Sequence, residues 1–565
     1  MKVVIVGGVA GGATAAARIR RLDEKAEIVV FERSGYISYA NCGLPYYIGD
    51  VITDAEELTL QTPESFYSRF RVDMRVHHEV TAIHPEKKTV SVKNLKTGEE
   101  FEESYDKLIL SPGAKPTQPR FSGTELDKVF TLRTVEDTLR IKKYINQNHP
   151  KSVVLAGGGF IGLELAENLR ELGMDVTIVQ NGKQLMNLFD HDMASFIHNE
   201  MRKHGVKLAL GHTVEGFEDR DGGVDVLLKD EAPLHADMVV LAIGVTPDTA
   251  LAKEAGLELG IKGAIVVNDR METSVPDIYA AGDAVQVKNF VTGEDALLSL
   301  AGPANKQGRI IADNICGLDS RYQGSQGSSV IKVFDMTAAL TGINERTAKA
   351  MGIDADTVIL SPMSHAGYYP GGKVMTMKVV FEKGSYRLLG AQIVGYEGVD
   401  KRIDVLATAI RAGMKATDLK ELDLAYAPPY SSAKDPVNMA GFMIDNIANG
   451  VLKQWHLEDA DKLPRDGSVT LLDTRTATEY SRGHIEGFRN IPVDELRERL
   501  DEVEKRKPVY VICQSGLRSY IASRILEGNG YTAYNFAGGF RFYDAVTNDR
   551  ALTCRATACG MDNES

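Results

Sequence analysis

Ser152-Val153-Val154-Leu155-Ala156-Gly157-Gly158-Gly159-Phe160-Ile161-Gly162 is the stretch that decides the fold. A short apolar run enters a glycine cluster, and G-x-G-x-x-G is complete at Gly157, Gly159 and Gly162. The spacing predicts a strand over Ser152–Ala156, a helix through Leu172 and a strand over Asp175–Val179. Strand, glycine turn and helix in that order are the logic of dinucleotide binding. Glycines let the backbone approach a pyrophosphate, and the helix N-terminus faces its charge. Gln180 closes the second strand, where an acid ordinarily meets the ribose. It can hydrogen-bond a 2′-hydroxyl but carries no charge for a 2′-phosphate. Lys183 is the only nearby base, which favours NADH over NADPH.

The same order occurs at the N-terminus. Lys2–Val6 reads as a strand and leads into Gly7-Gly8-Val9-Ala10-Gly11-Gly12. A small-residue helix is expected from Ala13 to about Leu22, then a strand over Glu27–Phe31 ending at Glu32. Val9 stands where the middle glycine belongs. Two such units point to two dinucleotides, with hydride passing between them. The first helix carries Thr14, Arg18 and Arg21 on one face. Those arginines either complement the helix dipole or form a phosphate-binding stripe for a second ligand.

Just beyond lies Ser38-Tyr39-Ala40-Asn41-Cys42-Gly43-Leu44-Pro45-Tyr46-Tyr47, with a single cysteine. A lone cysteine is commonly a small buried hydrophobe. Between two nucleotide-binding units, Cys42 reads as reactive. Further on, Lys107–Leu110 is a buried strand entering the turn Ser111-Pro112-Gly113. Ala281-Gly282-Asp283 is an acid after a strand, expected to open a helix, serving either a ribityl or phosphate group or a simple cap. A helix is expected from Ala304 to Ile315. From about 325 the pattern turns to strands (Ser329–Phe334, Lys373–Phe381, Leu388–Val394) and a helix (Lys401–Ala412), a separate α+β unit. His365–Pro370 and Ala425–Tyr430 are aromatic loops, where functional residues concentrate.

Residues 446–466, with Trp455 and the charged run 458–462, read as a linker. A small α/β unit follows. Strand Thr470–Asp473 precedes Arg475 and Glu479, then Gly483-His484-Ile485-Glu486-Gly487. Strand Val509–Ile512 delivers Cys513-Gln514-Ser515-Gly516-Leu517-Arg518-Ser519 to a helix over Tyr520–Leu526. Loop N–H groups, a helix N-terminus and Arg518 favour an anionic sulfur at Cys513. Cys513 to Arg518 is Cys-x4-Arg, tighter than the Cys-x5-Arg loop of cysteine phosphatases, and suits a persulfide.

The chain has 565 residues, enough for about three to four domains. Its 43% hydrophobic and 25% charged residues are ordinary for a soluble protein. A net charge of -13 argues against nucleic acid or an anionic membrane as partner. No apolar run spans a bilayer. The opening strand leaves no room for a signal peptide, and five scattered cysteines (42, 316, 513, 554, 559) fit a reducing cytoplasm. A tail metal site at Cys554 and Cys559 is the lesser reading beside a solvated tail.

Residues 463–556 resemble a single rhodanese domain, through Leu472–Arg475, Gly483–Ile485 and Cys513–Ser519. The first 445 residues resemble the flavoprotein pyridine nucleotide-disulfide oxidoreductases. Both glycine loops, Glu32, Ser38–Tyr47, Ala281–Asp283 and Ala425–Tyr430 carry that likeness. The whole resembles the NADH-dependent persulfide reductases of the coenzyme A-disulfide reductase–rhodanese fusion group. The implied fold is α/β: two Rossmann-like dinucleotide-binding domains, an α+β dimerisation domain and a C-terminal α/β rhodanese domain. The implied boundaries are an FAD-binding domain in two parts (1–120 and 251–322), an NAD-binding domain (121–250), a dimerisation domain (323–445), a linker (446–462), a rhodanese domain (463–556) and a tail (557–565).

The resemblance also implies roles. Gly7, Gly8, Gly11, Gly12, Glu32, Arg33, Ser111, Gly113, Gly282, Asp283 and Ala301 would hold FAD. Gly157, Gly159, Phe160, Ile161, Gly162, Glu164 and Gln180 would hold NADH. Coenzyme A, as substrate or tightly bound ligand, would meet Thr14, Arg18, Arg21, Ser38, Asn41, Arg71, Asn305, Lys306 and Lys434. Cys42 and Cys513 would carry the sulfur chemistry, with Arg518 at the second thiol. Tyr368 and Tyr426 would donate protons from the partner subunit of a homodimer. Two departures narrow the chemistry. Tyr47 stands where dithiol enzymes have a second cysteine, so Cys42 cycles through a mixed disulfide, a persulfide or a sulfenic acid. Ala10 stands where related peroxidases have histidine. The expected substrates are persulfides, polysulfides or coenzyme A disulfide.

Overall fold

A computed structural model describes residues 1–117 and 119–558; the side chain of Cys554 and all of Cys559 lie outside that description. The chain forms two compact units, residues 1–181 with 205–327 and residues 182–204 with 328–565. Among the described residues no helix is long and apolar enough to cross a membrane.

The first unit is built from one plan used twice. Lys2–Val6 and Glu27–Glu32 pair in parallel, in a five-stranded sheet ordered Ile278–Ala280, Lys107–Leu110, Lys2–Val6, Glu27–Glu32, Asp73–Val76. Ser152–Ala156 and Asp175–Gln180 pair likewise, in a sheet ordered Val129–Thr131, Met238–Leu241, Ser152–Ala156, Asp175–Gln180, Lys207–Leu210. Each sheet has its own three-stranded antiparallel meander, over 78–104 and 214–236. The central strands are covered on both faces, so Val3, Val4 and Ile5 are fully buried.

The helix after the first glycine loop runs Ala10–Leu22, three residues earlier than expected, because Val9 rather than Gly12 is its cap. It lies against helix Ala301–Ile315, which also begins three residues early, with Pro303 in its first turn. Pro is tolerated there because the N–H it lacks has no helical partner. Small residues let these helices meet closely. A Cβ on Gly308 would lie 2.3 Å from the Gly11 carbonyl oxygen. Asp283 does not open an α-helix: Gly282–Ala284 is one 3-10 turn followed by strand Val285–Lys288.

In the second unit an antiparallel sheet is ordered Ser329–Val333, Met336–Gly342, Leu388–Gly395, Met375–Glu382, Ala355–Leu360. Helices Val399–Arg411 and Pro436–Ala448 belong to the same unit. The C-terminal sheet is parallel, ordered Gln454–Trp455, Ala533–Phe536, Val509–Ile512, Thr470–Asp473, Arg489–Asn490. Trp455, expected in a linker, is instead a strand residue of this sheet and is buried. Its ring packs on Phe488 and Phe536.

Residues 182–204 fall in the second compact unit and are held by buried charge. Lys378, 1% exposed, reaches Asp192 at 2.8 Å, Asp190 at 3.1 Å and Glu345 at 2.7 Å. Gln392 adds a reciprocal pair, accepting from the Asp190 backbone N–H and donating to its carboxylate, each at 2.7 Å. Burial pushes the Lys378 pKa down, but the three carboxylates outweigh it and raise it. Burial pushes Glu345 up, and Lys378 with Lys349 reverses this and holds it at about 2. Farther along, helix His191–Lys203 meets the last helix, Gly539–Ala558. His198 accepts the Leu185 N–H on Nε2 (2.9 Å), so its Nδ1 proton goes to Asp549, also 2.9 Å away. Arg202 binds the same carboxylate at 2.5 Å.

Lys378→Met leaves three acids facing a buried site without their cation. The second unit should lose about 3–5 kcal/mol, read from its urea-unfolding midpoint. Glu345's part of the wild-type stability is full above its ordinary value of 4.5 and is lost as pH falls toward about 2; the variant should lack that acid limb.

Candidate active sites in the two units

Cys42 lies in a 3-10 turn, Asn41–Gly43, ahead of the short helix Leu44–Ile48. Both dinucleotide halves hold this segment. The Ser38 N–H donates to the Gly8 carbonyl (2.9 Å), and Ser38 takes a left-handed φ of 44° to do so. At the other end a Cβ on Gly49 would lie 2.1 Å from Asn168 Oδ1, on helix Phe160–Glu171. Lys142 closes the arrangement, with Nζ 2.9 Å from the Ile48 carbonyl and 2.6 Å from Asp50.

The Cys42 side chain is exposed. The protein around it still removes enough water to raise the thiol pKa, and Glu164 and Asp283 add to the rise while Arg133 opposes it. Protein groups here favour thiol over thiolate. Burial pushes Glu164 up to about 7, with Glu167 adding to it. Tyr46 is pushed to about 12 by burial, then by Glu164, Glu167 and Cys42.

The glycine loops fit pyrophosphate-bearing ligands. A Cβ on Gly7 would sit 2.1 Å from the Ser111 carbonyl oxygen, and one on Gly12 1.9 Å from the Gly7 carbonyl oxygen. In the second half Gly157 meets Ala242 O at 2.2 Å and Gly162 meets Gly157 O at 2.1 Å. A Cβ on Gly159 would meet nothing within 4 Å, so space lies before that helix. Neither Val9 nor Gly159 supplies a side-chain cap, which leaves first-turn N–H groups for an anion. Glu32 accepts the Gly8 N–H at 2.9 Å, and Gln180 accepts the Gly158 N–H at 2.9 Å. The acid and the amide occupy the same place in the two halves.

Around the first loop the structure gathers Gly7, Gly8, Gly11, Gly12, Glu32, Ser111 and Gly282. Gly113 is left-handed at φ 73°, and Ala301 opens its helix. Asp283 pairs with Arg133 at 2.6 Å, a cation that no sequence pattern flagged. Arg33 pairs with Asp248 at 2.9 Å.

For the coenzyme A set, Thr14 bonds Asn305 at 2.5 Å, so the two helices share that face. Arg18, expected to be open to phosphate, is ion-paired to Asp313 at 2.8 Å. Arg21 Nε caps the Ala17 carbonyl (3.0 Å). The Arg71 carbonyl accepts from the buried Arg20 at 2.9 Å. Lys306 is exposed in the first unit and Lys434 in the second.

In the second unit the Tyr368 and Tyr426 hydroxyls are 2.8 Å apart and both residues are exposed. Buried Arg402 secures their loops. It bonds Asp435 (3.0 Å), the Ser364 carbonyl (2.9 Å), the Tyr430 carbonyl (3.2 Å) and Ser431 Oγ (3.1 Å).

Cys513 is fully buried. Its sulfur receives the Gly516 N–H at 3.1 Å and the Ser519 hydroxyl at 3.2 Å, with Gly516 at φ 103° to aim the donor. Arg518 makes two 2.7 Å bonds to Glu479, and its charge also interacts with Cys513. Its hydrogen bonds with Arg518 hold Glu479 at about 2, although burial opposes them. Asp473 and Arg475 form a buried bidentate pair, and Arg475 lies 3.8 Å over the Phe540 ring.

Residues 1–308 match the pyridine nucleotide-disulphide oxidoreductase family, 328–436 its dimerisation domain, and 456–545 a rhodanese-like domain. A coenzyme A disulfide reductase of Staphylococcus aureus is 39% identical over 442 residues, covering 78% of this chain and 99% of the relative. The reduced CoADR-RHD of Bacillus anthracis is 49% identical with a TM-score of 0.94, covering 97% of this chain and 98% of that one. An NAD-dependent persulfide reductase from A. fulgidus is 38% identical with a TM-score of 0.90, covering 96% and 100%.

Glu164→Gln removes the charge that adds most to the rise in the Cys42 pKa. Alkylation of reduced Cys42 by iodoacetamide, followed against pH by mass spectrometry, should shift to lower pH. The substitution should also cancel the fall in stability that Glu164, protonated more readily when folded, imposes between about 4.5 and about 7.

Proposed function

The chain belongs to the pyridine nucleotide-disulphide oxidoreductase family, and from that premise we propose that it reduces sulfane sulfur carried on coenzyme A or in polysulfides, releasing sulfide. It is an oxidoreductase, and the cofactors are FAD and NAD(H), which supply two electrons per turnover. The observation that carries the finer reading is the second thiol: Cys513 sits in a cradle of N–H and O–H donors that stabilises a sulfur anion. Reducing a disulfide between two coenzyme A molecules has no use for a sulfur carrier, whereas handling sulfane sulfur from polysulfide does.

Chemistry at Cys42 follows from its single sulfur. The thiolate attacks the outer sulfur of a persulfide, forming Cys42–S–SH and expelling the coenzyme A thiolate. Two electrons then return the Cys42 thiolate and free hydrosulfide. Tyr47 cannot resolve the intermediate as a second cysteine would. The protein raises the Cys42 pKa, so binding of the ligands must offset that cost before attack. Tyr368 and Tyr426 of the partner subunit in a homodimer would protonate the departing thiolate, and their mutual hydrogen bond supports a shared proton. Thr14, Arg21, Asn305, Lys306 and Lys434 would hold coenzyme A, with Arg18 leaving Asp313 to meet phosphate. Gln180 would favour NADH.

The S. aureus relative favours a second reading, coenzyme A disulfide as substrate. Steady-state NADH oxidation with coenzyme A persulfide, polysulfide and coenzyme A disulfide side by side, with sulfide assayed, decides between them. The proposal expects sulfide to appear one for one with NADH on the first substrate, and faster turnover there than on the disulfide. Cys42→Ser should abolish sulfide release while FAD stays bound. Cys513→Ser should spare coenzyme A persulfide and impair polysulfide use; equal loss on both would exclude a relay.

A further inference from the structure

Arg20, on helix Ala10–Leu22, is 8% exposed and, among the described residues, has no carboxylate partner. All five of its N–H donors go to backbone carbonyls instead. Nε reaches Phe70 (2.7 Å), Nη1 reaches Asp23 (3.0 Å) and Glu24 (2.7 Å), and Nη2 reaches Ala26 (2.7 Å) and Arg71 (2.9 Å). A buried cation answered only by carbonyl dipoles is a costly way to join two segments of chain. What it fixes is the corner after helix Pro63–Phe70, where Arg71 takes a left-handed φ of 49° that bulky residues seldom adopt.

The corner carries an open aromatic surface beside a free charge. Tyr67 and Arg71, four residues apart, share one helix face. The Arg71 guanidinium lies 5.3 Å from the centre of the Tyr67 ring, and both residues are exposed, Tyr67 by 51%. Among the described residues the Arg71 side chain makes no hydrogen bond or ion pair. Asp73, the nearest acid along the chain, is taken by Arg75 at 2.7 Å. A purine nucleotide needs such a pair: a ring face for the base and an unanswered guanidinium for a phosphate. We propose that Tyr67 and Arg71 receive the nucleotide end of the coenzyme A carrier, the purine against the Tyr67 ring and the ribose phosphate on Arg71. This rests on the reading above that coenzyme A carries the sulfur. It makes Tyr67 a specificity residue, because a small persulfide without a nucleotide gains nothing from it.

Calorimetry on the reduced, FAD-loaded full chain, with coenzyme A and dephospho-coenzyme A as probes, tests the assignment. Tyr67→Ala should weaken both by about tenfold, as loss of one base-stacking ring does. Tyr67→Phe keeps the ring and should bind as the wild type does, which also guards against a folding defect at this position. Arg71→Gln should weaken coenzyme A more than dephospho-coenzyme A, which lacks the ribose phosphate. Unchanged affinity in Tyr67→Ala, a loss in Tyr67→Phe equal to that in Tyr67→Ala, or equal losses of both probes in Arg71→Gln would each overturn this assignment while leaving the coenzyme A reading intact. No binding of coenzyme A to the wild type would overturn both.

Discussion

The first unit depends on contacts that leave no room for a side chain. Gly12 approaches the Gly7 carbonyl so closely that a Cβ would lie 1.9 Å from it, and Gly162 repeats this against Gly157 at 2.1 Å. A methyl group cannot be absorbed there, because the neighbour is backbone rather than a flexible side chain. The close approach lets each helix start immediately after its strand, aligned with a parallel sheet. Its uncapped N–H groups then face outward to where a pyrophosphate belongs. The Cys42 segment is fastened to both halves by contacts that exist only because these turns are tight: Ser38 to Gly8 on one side, Gly49 against Asn168 on the other.

Much of this was legible in the sequence because it is local. A strand entering glycines entering a helix is written in consecutive residues, and so is the Cys513 loop. Glu32 and Gln180 were read as equivalent by spacing, and each accepts the N–H of the second glycine in its own loop. Long-range features were not legible. Asp313, far along the chain, neutralises Arg18, and nothing near either residue announces it. Arg133 on Asp283 is the same kind of case. Trp455 lies among polar and charged residues that look like a linker, yet its strand partner, Ala533–Phe536, lies near the other end of the chain. Its burial is decided there.

Residues 182–204 depend on distant partners in the same way. Asp190 and Asp192 need a cation once buried, and Lys378 on the antiparallel sheet supplies it. A buried ion cluster of this kind adds little net stability over an apolar one of the same shape, but a wrong partner would be very costly. It therefore specifies which sheet the segment joins. His198, Arg202 and Asp549 do the same for the last helix.

The two thiols are prepared in opposite ways. Cys513 is buried, its sulfur receives two hydrogen bonds, and the Arg518 charge acts on it as well. Arg518 holds Glu479 to the first turn of the helix and so stiffens the loop that aims those donors. Cys42 is exposed, lies among acids, and is biased toward the neutral thiol. A thiol so disfavoured as a free anion is protected from alkylation and oxidation until a ligand changes its surroundings. Coupling reactivity to binding suits a single cysteine that has no neighbour to resolve an accidental adduct. A permanently ionised Cys42 would face that hazard in every resting molecule. The acids beside it are thus consistent with a one-cysteine cycle, and the absence of a second cysteine at Tyr47 is what makes such restraint useful.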